Sequence, residues 1–472
     1  MPFPYNKMTP EGVAYIKSVT DSQRVKTGEE IQKDYFHDEM PEYGIFPPEV
    51  YVEALTTEEV AAVMKYGYEN NIPVTARGAG TGLAGGATCK CGGILLSLMK
   101  MNKIEPVDKM NMTVTAQPGA LLTEVAAAAE EAGLFYPPDP GERTASIGGT
   151  VITNAGGMRA VRYGVTRDYV RAIEAVLPDG SIVNFSSNVV KNTTGYDIKD
   201  LIIGSEGTLC IATRVTLKLI PAPNCTQTLV LPFSSLASCI DCVPKLLTLP
   251  FIPTAVEFLE RELLDIVERQ LNKLFPVPEG EAVLIVMYDG SSKEELNKAC
   301  DLAAETALAA GALDVKLANS PERIGSVWSV RAAILEGMKA DSIAQEECDV
   351  VVPRAKIAEY VKEAKAIGRK YGIRVEPCGH AGDGNIHTEM LRDPGMTDAE
   401  WKKNTHACLT ELYAKSKEFG GQLSGEHGIG NGRLDYLEDF VGTRMNELFK
   451  SIKLAFDPKL VLNPEKIVTF QE

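Results

Sequence analysis

The chain has 472 residues, 44% of them hydrophobic, and a formal net charge of −16. That length predicts two or three domains with substantial cores, and the acidity argues against nucleic acid or an anionic membrane as partner. No run approaches the roughly 18 apolar residues of a membrane span, the opening Met-Pro-Phe-Pro-Tyr-Asn-Lys7 lacks a signal-peptide core, and ten scattered cysteines in so large a chain predict reduced thiols and a cytoplasmic protein.

In chain order, a helix is predicted around residues 9–19 and another over 57–70, where Thr56 or Thr57 serves as cap and Glu58 and Glu59 lie in the positive first turn. A short strand then enters Thr75-Ala-Arg-Gly-Ala-Gly-Thr-Gly-Leu-Ala-Gly-Gly86, and the apolar run 93–98 follows. The segment reads as strand, glycine loop, strand. Gly78, Gly80, Gly82, Gly85 and Gly86 let backbone N–H groups turn toward an anion, which suits a diphosphate. It is not the Rossmann fingerprint, because Leu83 stands at the third glycine position and no helix start follows. Taken alone, a tight turn between strands is the better reading of it.

A strand into a turn is predicted at 113–119 and an Ala-rich amphipathic helix over 121–132, ending at Gly133. The glycines of Ser146-Ile-Gly-Gly-Thr-Val-Ile-Thr-Asn-Ala-Gly-Gly157 read as close backbone approach rather than regular structure. Residues 173–177 and 182–185 flank Asp179-Gly180, a hairpin signal. Composition shifts at Pro221-Ala-Pro-Asn224, which sets domains at 1–222 and 223–420 and a mostly helical C-terminal segment at 421–472. In the middle domain, strands near 228–231, 282–287 and 350–353 alternate with helices near 258–271, 294–311 and 355–371. That pattern predicts an antiparallel sheet with helices on one side, and an α+β fold class for the chain.

Three of the five histidines fall in Cys378-Gly-His-Ala-Gly-Asp-Gly-Asn-Ile-His387 and Ser424-Gly-Glu-His-Gly-Ile-Gly430. The Gly-Asp-Gly between His380 and His387 predicts a tight turn that brings both imidazoles to one side. Glu426 and His427 are adjacent and point opposite ways in an extended segment, so one can face a metal and the other a substrate. Two histidines and one carboxylate leave coordination positions open, as a Lewis-acid site requires. A single histidine is more often a turn cap or a satisfied buried group; the clustering favours function. His37 and His406 lack such context and are expected to be structural, as are Cys89-x-Cys91 and Cys239-x-x-Cys242, which have no second pair.

Arg77-Gly-Ala-Gly-Thr-Gly82, Pro137-Pro-Asp-Pro140, Ser146-Ile-Gly-Gly149, Asn154-Ala-Gly-Gly157 and Gly204-Ser-Glu-Gly-Thr-Leu209 resemble the FAD-binding half of the vanillyl-alcohol oxidase (PCMH-type) flavoproteins. Gly379-His-x-Gly-Asp-Gly-Asn-x-His387 and Gly425-Glu-His-Gly428 resemble the glycolate oxidase GlcD / D-lactate dehydrogenase branch. The motifs occur in the family's order from about residue 46 to Asn463-Pro464. Cys210 stands where the family usually has glycine, which implies a slightly altered turn and no loss of FAD.

The resemblance implies a PCMH-type FAD-binding domain, an α+β cap domain and a C-terminal segment that returns to the first. Arg77, Gly78, Ala79, Gly80, Thr81 and Gly82 with Ser146, Gly148 and Gly149 would hold the pyrophosphate. Asn154, Gly156, Gly157 and Gly164 would line the flavin, and Glu206, Gly207 and Ile211 the adenine–ribose side; Pro138, Asp139 and Asn463 would also contact FAD. Some relatives attach FAD through a histidine in the glycine loop; residues 75–93 contain none, so non-covalent FAD is expected.

The implied activity is oxidation of a D-2-hydroxy acid to the 2-oxo acid, D-lactate favoured and glycolate next, with hydride transfer to flavin N5. His380, His387 and Glu426 would bind one divalent ion (Zn, Mn, Fe or Co) that lowers the hydroxyl pKa. His427 would be the general base. Arg331, in Trp328-Ser-Val-Arg331, would grip the substrate carboxylate, with a helix-surface salt bridge as an equal alternative. Relatives acting on 2-hydroxyglutarate carry Lys where Glu347 precedes Asp349-Val-Val-Val-Pro353, and a negative charge there disfavours a second carboxylate. A protein electron acceptor is expected, an electron-transferring flavoprotein or iron–sulfur subunit. The alternatives are a D-2-hydroxyglutarate-type dehydrogenase, an electron-relay subunit without its own substrate, and the non-redox alkyl-dihydroxyacetone-phosphate synthase type.

Overall fold

The computed structural model describes residues 5–272 and 274–470, so residues 1–4 and 471–472 of the outer predicted segments lie outside the described residues. The chain divides into two compact units: residues 1–155, 165–222 and 427–472 form the first, and residues 156–164 and 223–426 the second.

The first unit holds two four-stranded sheets. In one, Val25–Thr27, Val50–Glu53, Ile94–Ser97 and Val74–Arg77 lie side by side in that order. Val74–Arg77 and Ile94–Ser97 run parallel. A parallel pair needs a long crossover, usually a helix; here the glycine-rich stretch makes the crossover without one. The Thr57–Asn70 helix covers this sheet. It opens where Thr56 Oγ1 accepts from Glu59 N at 3.2 Å and stops at Asn71, in the left-handed region at φ 52. Its Val60, Val63 and Met64 share one face and bury against Val50, Val52, Val74, Ile94 and Leu96.

The other sheet, ordered Thr113–Ala116, Ile211–Lys218, Val170–Val176, Ile182–Phe185, is wholly antiparallel and contains the predicted Asp-Gly hairpin. Between the Thr113–Ala116 and Val170–Val176 strands of this sheet, the Ser146–Gly157 stretch departs from expectation: Ile147–Thr153 is a helix. Ile147, Thr150 and Val151 bury on one face, and that packing outweighs the poor propensity of Gly148 and Gly149.

The C-terminal segment completes the first sheet. Val74 N donates to Val461 O and Asn463 N to Val74 O, both at 2.8 Å, so the chain end lines the outer edge of Val74–Arg77. Buried Lys453, on the Thr443–Phe456 helix, fixes this arrangement. Its ammonium donates at 2.7 Å to each of Asp457 Oδ2, Thr208 O and Leu462 O, which satisfies all three protons.

The second unit is built on seven antiparallel strands, ordered Lys316–Ala318, Cys225–Phe233, Ala282–Gly290, Ala255–Glu260, Arg374–His380, Asn385–Leu391 and Gln345–Val351. Every residue of Ala282–Gly290 is buried, so helices cover both faces rather than the one predicted. Leu263, Leu264, Val267, Val327, Val330, Ile334 and Met338 cover one face from three helices. Leu236–Leu247 and Lys293–Ala309 pack on the same strands from elsewhere. The unbroken apolar run Ala-Val-Leu-Ile-Val-Met-Tyr288 is the sequence mark of a strand covered twice.

Candidate metal centre and flavin cradle

In the second unit, Arg374–His380 and Asn385–Leu391 form a hairpin in which His380 pairs with Asn385 and Cys378 with His387. The turn needs glycine at 384: φ is +97, and a Cβ there would lie 2.1 Å from Val352 O. The two imidazoles end on one face, their rings nearly perpendicular at 89° and their Nε2 atoms 3.5 Å apart. Glu426 Oε1 lies 3.3 Å from each Nε2. Tetrahedral ligation with bonds of about 2.0–2.2 Å puts donor atoms about 3.3–3.6 Å apart. The three atoms therefore have the spacing of a metal's ligands, and their N/N/O chemistry fits a divalent ion.

Carboxylates occupy the far side of each ring. Glu257, fully buried, places Oε1 2.7 Å from His380 Nδ1 and accepts from Arg331 Nε at Oε2, 2.8 Å. Glu347 Oε1 lies 3.1 Å from His387 Nδ1. Such partners fix ring orientation and raise ligand basicity. Buried Asp349 holds the loop that carries Glu426: its Oδ2 accepts from Ser424 Oγ, Gly425 N and Glu426 N at 2.8, 3.1 and 3.0 Å. Asn385 Nδ2 donates to its Oδ1 at 2.7 Å. Sheet register makes these meetings: Glu257 pairs across strands with His380, and Asp349 with His387.

Burial opposes protonation of His380, but the charges of Glu257 and Glu426 outweigh it and raise the imidazole to about 10. Burial is likewise outweighed at His387, by its hydrogen bonds to Glu347 and Glu426, so it too sits well above the ordinary range. Burial would raise Glu426, yet the two imidazoles hold it well below the usual carboxylate range. The cluster thus attracts positive charge strongly, and a divalent cation answers it as well as protons do.

Arg331 makes an ion pair, the alternative weighed for it, but with the fully buried Glu257 rather than with a surface carboxylate. Gly156 belongs to this unit with Gly157 and Gly164, three of the residues expected along the flavin. A Cβ at Gly156 would lie 2.7 Å from Glu426 Oε2, so the glycine makes room for that carboxylate.

The first unit brings the glycine loop and Ser146 together. Ala79 N donates to Ser146 Oγ at 3.3 Å, and a Cβ at Gly78 would lie 2.2 Å from that oxygen. Gly148 N donates to Pro118 O at 2.8 Å, and a Cβ there would lie 2.5 Å from Pro118 Cβ. The glycines at 78 and 148 thus admit the Ser146 hydroxyl and the Pro118 ring close against the backbone, and such close approach suits a diphosphate cradle. The Arg77 guanidinium donates to the carbonyls of His37, Ala87 and Asp34 at 2.7, 3.3 and 3.2 Å, beneath Gly80 at φ +80. It braces the loop from below. Thr81 and Gly82 continue the partly exposed rim. Pro138 is buried, and Asp139 Oδ1 accepts from Gly141 N at 3.4 Å.

Asn154 takes φ 53 at the end of the Ile147–Thr153 helix and accepts from Arg167 N at Oδ1, 3.0 Å. The Ile211 side chain sits in the apolar core, 1% exposed. Asn463 Nδ2 donates to Gly86 O at 3.0 Å and Glu206 O at 2.9 Å, beside Gly207. The Glu206 carboxylate accepts from Ile429 N and Gly430 N at 2.7 and 2.6 Å. Asn431 N and Gly432 N donate to Ala84 O, and Arg433 Nη1 to Leu83 O at 3.1 Å. The segment that starts at His427 is therefore seated on the glycine loop. Glu257 escaped sequence reading, although a lone acid inside Ala-Val-Glu-Phe-Leu259 was its available signal. Among the described residues no helix is long and apolar enough to cross a membrane.

The family described as FAD linked oxidases, C-terminal domain, matches residues 222–467, and an FAD binding domain matches residues 48–186. A D-lactate dehydrogenase of Anaerostipes hadrus is 47% identical over 470 residues, 98% of each chain. The glycolate oxidase subunit GlcD of Bacillus subtilis is 33% identical over 92% of this chain and 91% of its own. A 4-ethylphenol oxidase from Gulosibacter chungangensis shares the fold, with a TM-score of 0.79 at 16% identity over 99% of both chains. The flavin-type cradle, the whole-length likeness and both domain matches lead to one conclusion: the chain belongs to the FAD-linked oxidases, as an FAD-dependent oxidoreductase of the D-lactate dehydrogenase and glycolate oxidase family.

Proposed function

We propose that this protein oxidises a D-2-hydroxy acid to the 2-oxo acid, with D-lactate the preferred substrate and glycolate next, and that it passes the electrons to a protein acceptor, an electron-transferring flavoprotein or iron–sulfur subunit. The observation that carries the reading is a juxtaposition along the chain. Glu426 completes the triad with His380 and His387, and the next residue, His427, opens the segment seated on the glycine loop. The 47% identity to a D-lactate dehydrogenase supports the substrate choice.

When bound, FAD supplies the hydride acceptor and a divalent ion supplies Lewis acidity. His380 Nε2, His387 Nε2 and Glu426 would hold the ion, with Glu257 and Glu347 holding the rings in place. An imidazole nitrogen of His427 would take the hydroxyl proton as the Cα–H bond breaks, a task suited to histidine near neutral pH. Arg331 would receive the substrate carboxylate through its Nη groups, its Nε being held by Glu257. Glu347, engaged with His387, would disfavour a second carboxylate and so a 2-hydroxyglutarate-like substrate.

The test is anaerobic stopped-flow reduction of the flavin by D-lactate, with metal and FAD assayed on the same samples. The parent should bleach; a relay subunit would not. His427→Asn should retain FAD and metal and reduce flavin about 10²–10⁴-fold more slowly, the usual worth of a positioned base. Glu426→Gln should lose metal and recover partly when metal is added. Reversal of those two phenotypes would exchange the two roles, and parental rates in both would remove the site from the chemistry.

A further inference from the structure

We infer that Glu206 is a positioning residue for the proton-transfer step: its carboxylate clamps the turn that follows His427 and fixes that histidine against the glycine loop. The inference rests on the reading of His427 as the base.

The clamp is built from both sides. Both oxygens of Glu206 are used, Oε1 by Ile429 N at 2.7 Å and Oε2 by Gly430 N at 2.6 Å. Two consecutive amides pointing at one anion form a backbone nest. The turn is shaped to admit the carboxylate. Gly428 has φ +86, and a Cβ there would lie 2.8 Å from Glu206 Oε1. Gly430 has φ +50, and a Cβ there would lie 1.9 Å from Ala84 O, so the turn is also pressed onto the glycine loop.

Glu206 itself is held in an unfavourable backbone state, φ 53 for a residue with a side chain. Two hydrogen bonds keep it there: Glu206 N donates to Ile152 O at 2.9 Å, and Glu206 O accepts from Asn463 Nδ2, whose other proton goes to Gly86 O. One residue thus ties together the helix after Ser146, the end of the glycine loop and the turn after His427. Glu206 is 9% exposed, and its neighbours Arg433 and Lys466 supply compensating positive charge. A buried, strained carboxylate with both oxygens on one turn is expensive to keep for packing alone. Fixing the base explains it, since misplacing a catalytic group by about 1 Å can cost on the order of 10²-fold in rate.

Three variants test this on the FAD-loaded, metal-loaded protein. Glu206→Gln puts an amide donor against one of two N–H donors, Glu206→Asp draws the carboxylate back from the turn, and Gly428→Ala pushes on the contact from the other side. Each should reduce flavin with D-lactate about 10–100-fold more slowly, with the substrate concentration for half-maximal rate and the FAD dissociation constant within about threefold of parent. Hydrogen exchange at the amides of residues 429 and 430 should accelerate in each.

The deciding measurement is the double variant. In a His427→Asn background, Glu206→Gln should slow reduction no further, because a clamp that acts through His427 has nothing left to position. Additive losses would overturn the inference in favour of a general structural role. Loss of FAD with a parental rate in the remaining holoenzyme would overturn it in favour of a cofactor contact. Faster exchange at 429 and 430 with parental rates in the Glu206 variants, while His427→Asn is slow, would refute positioning and leave the base intact. A parental rate in His427→Asn would instead refute the base, whatever the exchange data show.

Discussion

Glu257→Gln removes one charge and keeps the shape of a residue that touches both His380 and Arg331. Loss of a carboxylate behind a ligating histidine typically costs 10–100-fold in metal affinity, or about 1.4–2.8 kcal/mol. The upper end is expected here, because Glu257 is fully buried and its contact to His380 Nδ1 is short at 2.7 Å. The amide also cannot serve both partners. If its oxygen accepts from His380, its NH₂ faces the Arg331 Nε–H, donor against donor. The guanidinium is then left without its counter-charge, and breaking a buried pair in this way costs about 3–5 kcal/mol of stability. Metal affinity and metal-free stability should therefore fall together. The assay is competition for the metal with a chromophoric chelator, alongside thermal unfolding of the chelated protein. The exposed pair Lys356–Glu359 gives the control: Glu359→Gln should change neither by more than a few tenths of a kcal/mol. Parental metal affinity and unfolding temperature in Glu257→Gln would refute the argument that this carboxylate organises the site.

In metal-free protein, the raised pKa of His380 contributes stability that is fully present below its unfolded value of 6.5 and is lost as pH rises through about 10. The unfolding temperature of chelated protein should fall across that window, and a flat or rising profile would contradict the imidazole–carboxylate arrangement. Gly148→Ala should destabilise the first unit by about 1–3 kcal/mol, since its Cβ would lie 2.5 Å from Pro118 Cβ and 3.1 Å from Pro118 O; a parental unfolding temperature would show that the two segments are not in that contact. Acid precipitation should release all flavin colour to the supernatant, because residues 75–93 offer no histidine for attachment; colour in the pellet would overturn the non-covalent assignment.

What could be read in the chain was local. The turn between His380 and His387, the Asp-Gly hairpin and the Thr56 cap each declare themselves within a few residues, because glycine, aspartate and threonine act on their own backbone. What escaped depends on register and burial. Glu257 meets His380 from 123 positions away, and nothing near either residue announces the pairing. The Ile147–Thr153 helix contradicts its own glycines because its apolar face is covered. The second sheet face was missed for a related reason: an antiparallel sheet open on one side should alternate, and the failure of Ala282–Gly290 to alternate was the available clue. The partners of Arg77 were equally hidden: two of the three backbone carbonyls that hold its guanidinium, those of His37 and Asp34, lie about forty positions away.

The seam between Val74 and Leu462 has a consequence for how the protein is made. The edge of the Val74–Arg77 strand leaves the ribosome with its partner still roughly 390 residues unsynthesised, on the order of 20–80 s at ordinary translation rates. For that interval the nascent first sheet presents an unpaired apolar border, the kind of surface that recruits other chains. Lys453 is absent for nearly all of that period, so its hydrogen bond cannot yet hold the Thr208 carbonyl. Ribosome-bound chains that stop short of Leu462 therefore carry that open edge, and the pairing of Val461 and Asn463 with Val74 closes it.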